Sequence, residues 1–81
     1  MKANVYVTLK REVLDPQGEA IRRALGTLGF EGVQKVRVGK LIEIELADGD
    51  AAATEKALKT MGEKLLANPV IEDFRVEVAA K

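Results

Sequence analysis

Two apolar-alternating segments, "VQKVRV" and "LIEIEL", stand on either side of the dipeptide Gly39-Lys40. No other feature limits the fold as much. Period-two alternation marks a half-buried strand, and glycine at the first of two loop positions is what a type II′ hairpin turn requires. In the second segment Ile42, Ile44 and Leu46 face the core, while Glu43 and Glu45 face away. One other geometry fits the same pattern, a single long strand bent at Gly39 that reaches into a neighbouring subunit. Glycine followed by lysine also occurs in phosphate loops, but those join a strand to a helix N-terminus. Here the dipeptide joins two strands and supplies one glycine, so it reads as a turn with Lys40 at its tip.

The flanking sequence extends this pattern. "NVYVTLK" alternates, with Val5, Val7 and Leu9 on one side and Tyr6, Thr8 and Lys10 on the other. "LDPQG" breaks the strand: Asp15 is a good N-cap and Pro16 suits the first helical position. Ala20, Ile21, Ala24, Leu25 and Leu28 follow at helical spacing, and Gly29 is placed to stop the helix. After "LIEIEL", Asp48 or Asp50 can cap a second helix whose apolar stripe is Ala57, Leu58, Met61 and Leu65. "ANP" closes that helix, and "VIEDFRVEV" supplies a last strand with Phe74, Val76 and Val78 on one face.

The expected order is therefore β-α-β-β-α-β over a single domain, residues 1–81. Right-handed crossovers joined by a hairpin give an α+β, ferredoxin-like fold: a four-stranded antiparallel sheet, order 4-1-3-2, with both helices on one face.

Composition narrows the function. A chain of 81 residues buries only about 60–65% of its unfolded surface and needs a supplement to its core. There is no Cys and no His, which removes disulfides, thiolate sites, the commonest metal ligand and the commonest general base. Oligomerisation is the supplement that remains. Thirteen basic and thirteen acidic residues cancel, which argues against nucleic acid as a partner. No apolar run reaches the ~20 residues of a membrane span, and the first residues lack a signal-peptide core. The expectation is a cytoplasmic protein with no membrane association.

On the open face of the sheet, Glu43 and Glu45 are expected between the strand of Lys10 and that of Lys35 and Arg37, an arrangement of mutual neutralisation. Those neighbours would hold the carboxylates ionised, so the pair is unsuited to acid–base work. RNA binding by this face needs stacking aromatics on the central strands, and only Tyr6 is available beside carboxylates. No catalytic or metal-binding residue is nominated. The first strand–helix junction, "VLDPQGEAI", is more informative. Gly18 in a first helical turn costs up to about 1 kcal/mol against alanine, which points to close packing there, either within the chain or against a partner.

"VLDPQGEAI", "VQKVRVGK" and "EKLLANPVIEDFRVEV", in this order and spanning nearly the whole chain, resemble the PurS family. These are the small subunits of phosphoribosylformylglycinamidine synthase, the formylglycinamide ribonucleotide amidotransferase. The resemblance implies a role in de novo purine biosynthesis, as a non-catalytic dimer, or a higher oligomer, that bridges a large synthetase subunit and a glutaminase subunit. The complex would use ATP with magnesium and glutamine, and this subunit would bind no cofactor itself. The residues carried over as a candidate subunit interface are Asp15, Pro16, Gln17 and Gly18; Arg37, Gly39 and Lys40; and Asn68, Glu72 and Asp73. Arg37 and Lys40 lead because neither has an evident core role. The alternative is a stand-alone ligand-sensing module of ACT type, which shares the element order and would bind a small amino acid near the first strand–helix junction.

Overall fold

The structure, a computed structural model, describes residues 1–79. Its elements are β1 (Lys2–Leu9), α1 (Pro16–Thr27), β2 (Gly39–Glu45), α2 (Ala51–Met61) and β3 (Glu72–Ala79). A π-helical turn, Gly62–Leu66, continues α2. The strands form one antiparallel sheet in the order β2-β1-β3. This arrangement is α+β, and the three strands sit in the relative positions the sequence implies.

Local chemistry sets the boundaries. Asp15 caps α1, its Oδ1 accepting the Gly18 amide at 2.9 Å, with Pro16 in the first turn. The helix ends in a Schellman arrangement: Gly29, at φ 98°, donates to the Gly26 carbonyl, and Phe30 donates to that of Leu25. Asp50 caps α2 through the Ala53 amide, while Asp48 pairs with the Met1 ammonium at 3.0 Å. Asn68 and Glu72 close the turn into β3. The Asn68 carbonyl accepts the Glu72 amide, and the Glu72 carboxylate accepts the Asn68 amide.

The core is one-sided. Ala3, Val5 and Val7 of β1 are buried with Leu58 of α2 and with Ala67, flanked by Ile42, Ile44, Phe74, Val76 and Val78. Leu58 holds its expected place, but Met61 and Leu65 are exposed, whereas Gly62 is buried and Leu66 half-buried. Leu58, Gly62 and Leu66 follow one another at i, i+4 and i+8 on one helix face, and the helix then ends in the π-turn, whose Ala67 amide donates to the Gly62 carbonyl.

Two expectations need correction. Gly39 and Lys40 do not turn a hairpin: both lie inside β2, paired opposite Thr8 and Val7, and residues 33–38 join no strand of this sheet. Among the described residues only Gly29 is a glycine with positive φ, so Gly39 lacks the conformation a type II′ turn demands. It is glycine for a different reason, since a Cβ there would sit 2.7 Å from the Val7 carbonyl oxygen. Among the described residues the sheet thus has three strands, not four.

The second correction concerns α1. Its apolar stripe does not cover the sheet beside α2. Ile21 and Leu28 are exposed, Leu25 is half-buried, and the helix makes only sparse contact with the strands. The radius of gyration is 16.1 Å, against about 12 Å for a compact chain of this length. An amphipathic helix is stabilised mainly by burial of its apolar face, and this chain alone does not bury that of α1.

Candidate partner-binding surfaces

The β1–α1 junction and residues 36–40 meet through backbone groups. With Oδ1 on the Gly18 amide, Asp15 uses Oδ2 to accept the Val38 amide at 2.7 Å. The side chain is 6% exposed. These two amides, Val38 first and Gly18 next, hold its carboxyl below the usual carboxylate range against the opposing effect of burial; the nearby Arg37 charge adds to the shift. Gly18 answers its own question. A Cβ there would lie 2.8 Å from the Val36 carbonyl carbon and nearer still to its oxygen, so the close packing is within the chain.

Arg37 has an internal role that the sequence did not disclose. Its guanidinium donates to the carbonyls of Lys10 at 2.8 Å, Val13 at 3.0 Å and Leu9 at 3.4 Å. It therefore ties residues 9–13 to the approach to β2 and does not stand on the open sheet face. Neutralisation of Glu43 and Glu45 by Lys10, Lys35 and Arg37 is likewise not what the structure holds. Neither carboxylate has an ion-pair partner among the described residues.

Five of the ten candidate interface residues, Asp15, Gln17, Gly39, Lys40 and Glu72, line one open cleft of about 240 Å³ at the end of the sheet. Pro16 and Gly18 flank it in the first turn of α1, and Asn68 reaches it through Glu72. Lys40 is exposed and lies on the core side of β2, opposite Val7. Asp73 lies elsewhere, on the open face opposite Thr8.

Sequence reasoning missed the apolar surface around α1. Leu14 is 80% exposed, Leu28 72% and Phe30 58%. Their spacing was visible, but helical periodicity says only that a face needs covering and not which molecule covers it.

A one-sided sheet, a helix with its apolar face bare and a segment, residues 33–38, outside the sheet define a small α+β protein whose surfaces suit association. The chain belongs to the PurS family, phosphoribosylformylglycinamidine (FGAM) synthase, whose pattern matches residues 2–80. It is 49% identical over 77 residues to phosphoribosylformylglycinamidine synthase subunit PurS of Bacillus subtilis, spanning 95% of this chain and 90% of that one. A PurS crystal structure from Methanocaldococcus jannaschii, one of the subunits of formylglycinamide ribonucleotide amidotransferase, superposes with a TM-score of 0.84 at 41% identity, covering 94% of this chain and 92% of that one. A chain of the PurLQS structure from Thermotoga maritima superposes with a TM-score of 0.85 at 34% identity, covering 94% and 93%. Full-length kinship of this kind displaces the ligand-sensing alternative.

Proposed function

We propose that this protein is the small assembly subunit of phosphoribosylformylglycinamidine synthase in de novo purine biosynthesis. It bridges the large synthetase subunit and the glutaminase subunit, and the complex converts formylglycinamide ribonucleotide to formylglycinamidine ribonucleotide with ATP, magnesium and glutamine. The subunit itself binds none of these and acts in the cytoplasm; no helix among the described residues is long and apolar enough to cross a membrane. The observation that carries this reading is the full-length match to PurS subunits, one of them a chain of a PurLQS structure.

The working form is a homodimer. The bare stripe of α1 and the unpaired segment 33–38 supply what a second copy would cover, with 33–38 adding the fourth strand of the ferredoxin-like sheet across the subunit boundary. The one long strand bent at Gly39 is thereby favoured over the hairpin.

The test is reconstitution. The protein is mixed with the synthetase and glutaminase subunits, ATP, magnesium and glutamine, and followed by size-exclusion chromatography with light scattering alongside glutamine-dependent turnover. Co-elution as one large species, with turnover that depends on this chain, is expected. Full glutamine-dependent rate in its absence would remove the proposal.

A further inference from the structure

The sheet has a second face that no element among the described residues covers. Cross-strand register arranges it in rows: Glu45–Lys2–Ala79, Glu43–Asn4–Glu77, Leu41–Tyr6–Arg75 and Gly39–Thr8–Asp73. The third row is organised differently from the others. The Arg75 guanidinium lies over the Tyr6 ring, 3.9 Å from its centroid, and Leu41 sits directly opposite Tyr6 with 52% of its surface exposed. The Tyr6 hydroxyl donates to the Glu77 carboxylate at 3.2 Å, which fixes the ring from its far end. Tyrosine and arginine are the residue types enriched where binding energy concentrates, and a stacked pair loses little side-chain freedom when it is covered.

Carboxylates bracket this row. Glu43, Glu45 and Glu77 lie on one side and Asp73 on the other, all exposed apart from their strand backbones. Against these four the paired rows carry two cations, Lys2 and Arg75, and none of the six joins an ion pair among the described residues. The chain as a whole has zero net charge, whereas these four rows hold a local excess of two negative charges. Stacking two copies face to face would double that excess, and nucleic-acid phosphate would meet the same repulsion.

We propose that the open sheet face is a docking surface for a basic protein surface on another subunit of the synthase. That surface places lysine or arginine side chains around an apolar contact that covers Leu41, Tyr6 and Arg75. The inference rests on the assembly function proposed above, and it names the chemistry of one of the contacts.

The test uses the full chain in the same three-subunit reconstitution. Two variants address the two parts of the face: Glu43→Lys with Asp73→Lys for the charge, and Leu41→Ala for the centre. Neither carboxylate makes a side-chain hydrogen bond among the described residues, and Leu41 lies on an edge strand, so both variants should fold, as circular dichroism would check. Each should assemble roughly tenfold or more weakly than wild type. Raising salt should weaken the wild-type complex more than that of the charge variant. Assembly of both variants at wild-type affinity would overturn the docking surface and leave the bridging function intact. Loss of the protein's own dimer mass in the variants would also overturn it, by making the face a self-contact. Failure of the wild type to assemble would bring down both readings together.

Discussion

Val38 donates its amide to Asp15 Oδ2 at 2.7 Å, across 23 residues of sequence, while the other oxygen of the same carboxylate caps α1. One ionised group thus fixes both the start of the helix and the entry to β2. Its pKa in the folded protein is below the ordinary value of 3.8, so the unfolded chain binds the proton more readily. The stabilisation is therefore complete above that ordinary value and is lost as pH falls through the lower, folded one. In Asp15→Asn the advantage of wild type should be largest at neutral pH and should shrink on acidification through the carboxylate range. Thermal unfolding of both proteins across that range checks it; a constant gap between them would show that the charge of Asp15 is not what matters.

Gly18 and Gly26 sit on the same helix and should respond oppositely to alanine. A Cβ at Gly18 meets the Val36 carbonyl, which is backbone and cannot rotate away, whereas at Gly26 it meets nothing within 4 Å. Gly18→Ala should lose about 1–3 kcal/mol through overpacking. Gly26→Ala should gain up to about 1 kcal/mol through helix propensity and reduced freedom of the unfolded chain. Denaturant midpoints read both. Equal effects would mean that Val36 does not press on the helix as the structure has it.

The contrast between these two glycines shows how far sequence carried. Caps and stops were legible because they are local: Asp15, Gly29 and Asp50 act within a few residues of themselves. The three-strand order followed from alternation and crossover handedness. What stayed hidden depends on distance in sequence or on other molecules. The role of Arg37 lies in carbonyls 24 to 28 residues away, and no pattern marks a carbonyl as needing a donor. Gly39 looked like a turn because glycine serves turns and close strand approaches equally well. The π-turn at Gly62–Leu66 has no motif of its own, and the inward face of α2 runs through Gly62 and Leu66 where the sequence pattern pointed to Met61 and Leu65. At the candidate site, the three motifs were visible as stretches, but their convergence on one cleft required the fold.

Arg37 should matter for stability before it matters for any partner. Replacing it with methionine keeps bulk but strips donors from the Lys10 and Val13 carbonyls, and should cost about 1–3 kcal/mol. Arg37→Lys should recover only part of this, because an ammonium lacks the fork that reaches several carbonyls at once. Chemical denaturation of the two variants is the check. A fully stable Arg37→Met would release this residue for a purely intermolecular role.

The bare stripe of α1 gives a prediction about mass. Ile21 is 42% exposed and Leu28 72% in the isolated chain, so a charge at Leu28 removes little intrachain burial and one at Ile21 only part of a side chain's. Ile21→Glu with Leu28→Glu should leave the secondary structure intact while weakening self-association by at least roughly a hundredfold, if each buried side chain contributes about 1.5–3 kcal/mol. Sedimentation at several concentrations would measure it. An unchanged dimer would move the self-contact away from α1 and onto some other surface.

Gly62 and Phe74 couple α2 to β3, and the coupling can be measured directly. A Cβ at Gly62 would lie 2.6 Å from Phe74 Cζ and nearer still to Cε2. The ring occupies the space that the missing side chain leaves at the π-turn. Gly62→Ala alone should therefore destabilise by about 1–3 kcal/mol, through a clash with a ring packed against the buried core. Phe74→Leu alone should also destabilise, by loss of buried ring atoms and the cavity left behind. The two costs should not add, because the smaller side chain vacates the space the new methyl needs. A double-mutant cycle should give a favourable interaction of about 0.5–3 kcal/mol between the substitutions. Strict additivity would place the ring elsewhere, and the close approach of α2 to β3 would then need another cause.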